Sequence, residues 1–147
     1  MSRAPHITVA AVIEKDNKFL FVEEVSDGKQ VINQPAGHIE NGESIETAMI
    51  RETLEETGWS VKPEFLIAVY RWSHNKSGET FIRFTFSAKA LSHDPALILD
   101  QGIIRPLWLT QAELQKEQAR WRSPMVMVAI EDYLAGKRYP LSLLVDL

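Results

Sequence analysis

The chain has 147 residues, 45% of them hydrophobic and 24% charged, with a net charge of −4 and no cysteine. That length suits a single domain spanning residues 1–147, with a sizeable core and little room for a second. The acidic balance leaves no electrostatic footprint for a nucleic-acid polymer, and the missing cysteines exclude disulfides and thiolate metal sites, which fits the cytoplasm.

In chain order, Ile7 to Ile13 is apolar and β-branched and reads as a strand. Phe19 to Val22 reads as a second, with Lys15-Asp16-Asn17-Lys18 as the hairpin turn between them. The apolar run near the N-terminus is too short for a signal-peptide core, and no segment reaches bilayer length, so no membrane association is expected. Val31-Ile32 leads into Asn33-Gln34-Pro35-Ala36-Gly37, where proline and glycine indicate a loop. A helix is expected from Ser44, suited to the N-cap, to Gly58, suited to the C′ position.

Phe65 to Arg71 reads as a strand, His74 to Gly78 as a turn, and Thr80 to Ala90 as the clearest strand. There Ile82, Phe84, Phe86 and Ala88 alternate with Arg83, Thr85 and Ser87, giving one core face and one polar face. Ser92 to Gly102 has the character of a loop, and Ile103 to Leu109 is a strand in which Pro106 favours an edge or a bulge. Thr110 with Glu113 resembles a capping box. Ser123-Pro124 offers an N-cap and an N1 proline to a last helix that stops near Gly136. Without repeated βαβ spacing, this mixture predicts an α/β protein with a mixed sheet and helices packed on it.

The central helix carries three carboxylates, Glu52, Glu55 and Glu56, whose i, i+3, i+4 spacing sets them on one face. Ile45, Ala48 and Met49 run along the same ladder, with Ile50 and Leu54 roughly opposite, so the helix is expected to be largely enclosed. A Glu-rich helix is usually a solvated one, but enclosed like charges need a positive partner, and a hard divalent cation suits them.

The surroundings favour that cation. Gly37 is followed after five residues by Glu43, and Glu43 after seven by Arg51-Glu52, then Glu55-Glu56 and Gly58. This resembles the Nudix box, G-x5-E-x7-R-E-U-x-E-E-x-G-U, with Thr53 and Trp59 at the two bulky aliphatic positions U. Those positions pack rather than react. The resemblance implies an α/β/α sandwich around a mixed sheet, and hydrolysis of a nucleoside diphosphate linked to another moiety, with Mg2+ or alternatively Mn2+. It also implies that Glu52, Glu55 and Glu56 hold the metal, that the Gly37 carbonyl completes its shell, and that Arg51 pairs with Glu43 to steer these glutamates. The general base would be Glu52 or a loop acid, for which Asp100 is the first candidate and Asp94 the second.

Outside the box, Arg83 suits either a phosphate or a cross-strand ion pair. Trp72 and Tyr70 suit stacking on a substrate ring or simple packing. His38 reads as a hydrogen-bonding residue and Trp108 as core. Asn33-Gln34-Pro35-Ala36-Gly37-His38, Arg122-Ser123-Pro124 and Arg138-Tyr139-Pro140-Leu141 resemble one Nudix subgroup, the NudJ-like phosphatases. That resemblance implies release of inorganic phosphate from nucleoside tri- and diphosphates, thiamine pyrophosphate and hydroxymethylpyrimidine pyrophosphate. The alternatives are a hydrolase of sugar nucleotides or dinucleoside polyphosphates, and a non-catalytic ligand sensor. The expected partner is a small phosphorylated molecule, and the expected state a monomer, with a dimer as the alternative.

Overall fold

The computed structural model describes residues 4–147, so the first three residues of the expected 1–147 domain lie outside the described residues. The elements are β1 (His6–Val12), β2 (Glu14–Lys15), β3 (Lys18–Ser26), β4 (Lys29–Asn33), β5 (Ala36–His38) and α1 (Ile45–Thr57). They are followed by β6 (Trp59–Ser73), β7 (Thr80–His93), β8 (Ile103–Leu109), α2 (Gln111–Lys116) and α3 (Met125–Leu134). Short 3-10 turns at Gln118–Arg120 and Leu141–Leu143 complete the order.

One sheet is mixed, in the order β5-β1-β7-β6, with β1 and β7 parallel and the outer pairs antiparallel. Alternation along β1 decides what each face meets. Val9, Ala11 and Ile13 join Phe86 and Ala88 under Ala48 and Met49 of α1. Val12 points to the other face, where Ile67 meets Val126, Ala129 and Ile130 of α3. Helices therefore cover both faces of the mixed sheet, the expected sandwich. A second, antiparallel sheet of β2, β3, β4 and β8 contributes Phe19, Phe21 and Ile32 to the same core as α3. Burying a side chain such as Phe86 or Ile130 contributes about 1.5–3 kcal/mol, so these two cores dominate the stability.

The strands are longer than their side-chain patterns indicate, because main-chain pairing continues where alternation stops. β6 starts at Trp59, ahead of the expected Phe65, and carries Pro63 through a register shift. β7 continues past Ala90 to His93, opposite Trp59, taking residues from the expected loop. The polar face of β7 is buried, with Arg83, Thr85 and Ser87 all below 7% exposure. The expected loop at Pro35 to Gly37 is partly strand: β5 pairs along β1, and Ala11 N–H donates to the Pro35 carbonyl at 3.1 Å. Pro106 lies on β8, which among the described residues pairs with β3 alone, as an edge position allows. The turn before β3 places Asp16 and Asn17 at positive φ, as a two-residue hairpin requires.

Candidate active site

Helix α1 starts and ends where its cap residues dictate. The Ser44 side chain accepts from the Thr47 amide, and Gly58, at φ 76°, donates its N–H to the Leu54 carbonyl. Its buried side is Ala48, Met49, Thr53, Glu56 and Thr57, while Ile50 and Leu54 are only half-buried, so enclosure is one-sided rather than two-sided. Thr53, at an aliphatic position of the motif, satisfies its hydroxyl on the Met49 carbonyl at 2.9 Å. Trp59, at the other, stacks on His93 at 4.7 Å and meets Trp108 edge-on at 5.6 Å. Both departures from the motif are absorbed by packing.

The three helix carboxylates do not stay together. Ligand oxygens of Glu52, Glu55 and Asp100 all lie within 4.8 Å of one another, whereas Glu56 turns inward and accepts from the Ala36 amide at 2.9 Å. Asp100 joins the group because its amide donates to the Glu55 carbonyl at 3.0 Å, satisfying a helix-end acceptor with the loop that carries it. Asp94 serves its own turn, accepting from the Ala96 amide at 3.0 Å.

Arg51 links the group to the rest of the motif. Its guanidinium grips Glu43 in fork geometry, Nε to Oε2 at 2.9 Å and Nη2 to Oε1 at 2.7 Å. The same side chain donates to Glu52 at 2.8 Å, Glu55 at 3.1 Å and the His38 carbonyl at 3.0 Å. The Arg51 hydrogen bond holds the Glu43 carboxyl down at about 2. Burial raises Glu52 above the usual carboxylate range, opposed by Arg51 and reinforced by Glu55 and Asp100. Burial pushes Glu56 up to about 9, with only the Ala36 amide opposing it among its main influences.

This donor set fits a hard cation: the carboxylates of Glu52, Glu55 and Asp100 converge, a guanidinium already stands between two of them, and Glu56 lines the same cleft as Glu52. Gly37 fits the same picture, because a Cβ there would stand 2.1 Å from Glu52 Cδ.

Across a cleft of about 370 Å³, Glu52 and Glu56 face Arg83, Asn33, Glu24 and Arg122. Arg83 is 6% exposed and donates one hydrogen bond, to Asn33 Oδ1 at 3.1 Å. Among the described residues its Nε and Nη1 have no protein acceptor, and it forms no cross-strand ion pair. Burial, and then the nearby Arg122, lower its pKa to about 10. Arg122 donates from Nε to Ser26 at 2.9 Å and, with Glu24, completes the wall. Sequence reading placed neither residue in the site. The short Arg122-Ser123-Pro124 motif signalled Arg122; Glu24, within a strand, carried no signal. His38 hydrogen-bonds His6 at 2.9 Å at the cleft rim. Trp72 lines an adjoining groove, and Tyr70 lies elsewhere, donating to Asp132 at 2.7 Å.

A family model described as the NUDIX domain matches residues 4–128. The chain is 39% identical to Phosphatase NudJ of Shigella boydii over 143 residues, covering 97% of this chain and 92% of that protein. It is 38% identical to Phosphatase NudJ of Escherichia coli strain K12 over the same coverage. Among solved structures, a NUDIX hydrolase from Nitrosomonas europaea superposes with a TM-score of 0.96 at 52% identity, covering 98% of each chain. A MutT NUDIX hydrolase from Burkholderia pseudomallei, 21% identical, shares the fold alone, with a TM-score of 0.75 over 88% of this chain and 98% of that one.

Proposed function

The chain belongs to the Nudix hydrolases, enzymes of phosphoanhydride cleavage, and we propose that it is a Mg2+-dependent phosphatase of small phosphorylated metabolites. Its substrates are nucleoside tri- and diphosphates, thiamine pyrophosphate and hydroxymethylpyrimidine pyrophosphate, and its product is inorganic phosphate. It works as a monomer in the cytoplasm, with Mn2+ able to replace Mg2+.

One observation carries this reading. A carboxylate group on one wall of the cleft faces two arginines, Arg83 and Arg122, on the other. Carboxylates suit a hard cation and guanidinium groups pair with phosphate oxygens, so the two walls together suit a metal-bound phosphoanhydride.

Glu52, Glu55, Glu56 and the Gly37 carbonyl would hold the metal, with Asp100 beside them, and when bound it would polarise phosphate oxygens and acidify the attacking water. Arg51 positions Glu52 and Glu55 while Glu43 anchors its fork. Arg83 and Arg122 bind phosphate oxygens and balance the charge that builds there. Asp100 forms no ion pair among the described residues, unlike Glu52, so it is the carboxylate free to take the proton from the attacking water.

Hydrolysis products, inorganic phosphate and organic phosphates alike, are quantified by chromatography for a panel of nucleoside tri- and diphosphates, thiamine pyrophosphate, sugar nucleotides and dinucleoside polyphosphates, with Mg2+, with Mn2+ and with EDTA. Metal-dependent phosphate release from the first three is expected. Preference for the last two classes would replace this reading by the sugar-nucleotide or dinucleotide one, and binding without turnover by the sensor.

A further inference from the structure

One residue breaks the division of the cleft into a carboxylate wall and an arginine wall. Glu24 stands on the arginine side, with Arg83 and Arg122, and faces Glu52 and Glu56. Its neighbour on β3 shows what an arginine does for a carboxylate in this sheet. Alternation turns Glu23 to the opposite face, where Arg120 and Arg105 both pair with it. Burial pushes the Glu23 carboxyl up, but Arg120 and then Arg105 hold it below the usual carboxylate range. Glu24 has no such partner. Among the described residues it forms no ion pair, although two guanidinium groups line the same cleft. Asn33 keeps Arg83 and Glu24 apart. Its Oδ1 accepts from Arg83 Nη2 at 3.1 Å and its Nδ2 donates to Glu24 Oε1 at 3.4 Å, an orientation fixed because a guanidinium only donates. Arg122 is drawn to Ser26 instead, donating from Nε at 2.9 Å. Glu24 Oε2 has no hydrogen bond among the described residues.

An ionised Glu24 would repel the phosphate oxygens that the arginines beside it attract. A proton removes that conflict. The charged groups around Glu24 are Arg83 of β7, Arg122 before α3, and Glu52 and Glu56 of α1 across the cleft. Burial raises the Glu24 carboxyl above the usual range, and the Asn33 hydrogen bond, Arg122 and Arg83 oppose this without cancelling it. A phosphoanhydride arriving beside Glu24 adds negative charge, which binds the proton more firmly. A protonated carboxyl among phosphate oxygens is a hydrogen-bond donor, and beside a breaking P–O bond it can give its proton up.

We propose that Glu24 is the acid of the reaction, giving its proton to the bridging oxygen of the scissile phosphoanhydride as that oxygen leaves. This rests on the phosphatase reading above and adds a catalytic residue that lies outside the motif. Water attacks the terminal phosphorus and gives a proton to Asp100. The bond from that phosphorus to the bridging oxygen breaks, its electron pair stays on the oxygen, and the Glu24 proton goes there. Inorganic phosphate and the shortened organic phosphate depart, Asp100 releases its proton to solvent, and Glu24 takes one back. Base and acid then come from the loop before β8 and from β3, not from the helix.

The test follows kcat and KM of wild type, Glu24→Gln and Glu24→Asp on a nucleoside triphosphate between about pH 5 and 9 at saturating Mg2+, with circular dichroism as the check on folding. In wild type, kcat should fall at the alkaline end as Glu24 loses its proton. Glu24→Gln keeps the shape and an N–H donor but has no proton to give. Its kcat should drop about 100-fold or more with KM near wild type, and the alkaline fall should vanish. Glu24→Asp should keep that fall at a reduced kcat, which a purely structural role would not require. Wild-type kcat in Glu24→Gln, with or without a lower KM, would make Glu24 a bystander or a repelling charge and overturn the proposal. A reduced kcat that keeps the alkaline fall would overturn it as well. In each of those cases the wild-type activity, and with it the phosphatase reading, stands. Wild type without metal-dependent phosphate release from any substrate would overturn the phosphatase reading and this proposal with it.

Discussion

Gly37 and Glu52 touch so closely that a Cβ on Gly37 would lie 2.1 Å from Glu52 Cδ. Strand β5 and helix α1 can approach this far only because position 37 carries no side chain. Gly37 is not among the residues with positive φ, so the backbone itself accepts alanine. Gly37→Ala should therefore fold and push the Glu52 carboxylate aside, lowering kcat/KM by about 100-fold, the usual cost of a 1 Å misplacement. Circular dichroism and steady-state kinetics check this. A folded variant with wild-type turnover would mean that Glu52 does not act from this position.

Glu56 makes metal-free stability depend on pH. Burial raises its carboxyl from 4.5 to about 9, so the folded state holds the proton more tightly than the unfolded state. Stability should fall as pH rises between these two values, by at most about 1.4 kcal/mol per pH unit. Glu56→Gln removes that slope. Without metal it should raise Tm more at pH 8 than at pH 5, and with Mg2+ it should lose at least about 100-fold in turnover. Equal Tm gains at both pH values would refute the buried, protonated carboxyl.

The Arg51 fork reaches Glu43, Glu52, Glu55 and the His38 carbonyl at once, which a lysine ammonium cannot span. Arg51→Lys should weaken Mg2+ binding and lower kcat/KM by about 10- to 100-fold, as loss of an orienting partner typically does. Titration calorimetry gives the metal affinity. The Glu43 carboxyl, held down at about 2, stabilises above pH 4.5 and loses that contribution as pH falls toward 2. Acid unfolding should therefore begin at higher pH in the variant, and an unshifted acid transition would count against the coupling.

Mg2+ should raise the Tm of wild type, because only the folded chain assembles the carboxylate group. The gain should shrink in Glu52→Gln, Glu55→Gln and Asp100→Asn, and sodium chloride at matched ionic strength should not reproduce it. The same gain in all variants would reduce the effect to screening.

Arg83 is a buried cation with two nitrogens that find no acceptor among the described residues. Arg83→Met keeps much of the volume and removes the desolvation cost, so Tm should stay level or rise. KM for phosphorylated substrates should rise by about tenfold or more. A drop in Tm with unchanged KM would make Arg83 a structural residue.

Much of this molecule was legible from residue order. The Ser44 and Gly58 caps, the Thr110–Glu113 capping box, the positive-φ turn at Asp16-Asn17 and the alternation of Thr80 to Ala90 are local features, and each decided its own element. Strand ends were not legible. Leu91, Ser92 and His93 carry no core pattern, yet main-chain pairing with Trp59 and Ser60 extends β7 through that stretch. Ala36 to His38 became strand because the edge of β1 was free to take it.

The site divides along the same line. That Gly37, Glu43, Arg51, Glu52, Glu55 and Glu56 are neighbours was legible in the sequence itself, because helical spacing and fixed loop lengths keep them close. Which carboxylates converge was decided by tertiary structure: the Glu55 carbonyl captures the Asp100 amide, and the Ala36 amide draws Glu56 away. The opposite wall is assembled by tertiary structure, although residue order already marked Arg83 as a phosphate candidate. Glu24, Arg83 and Arg122 come from three distant segments, and Tyr70, two residues from Trp72, bonds Asp132 instead of reaching the groove. Spacing along one helix is set by 3.6 residues per turn, whereas convergence across sheets depends on register and loop paths that no local pattern encodes.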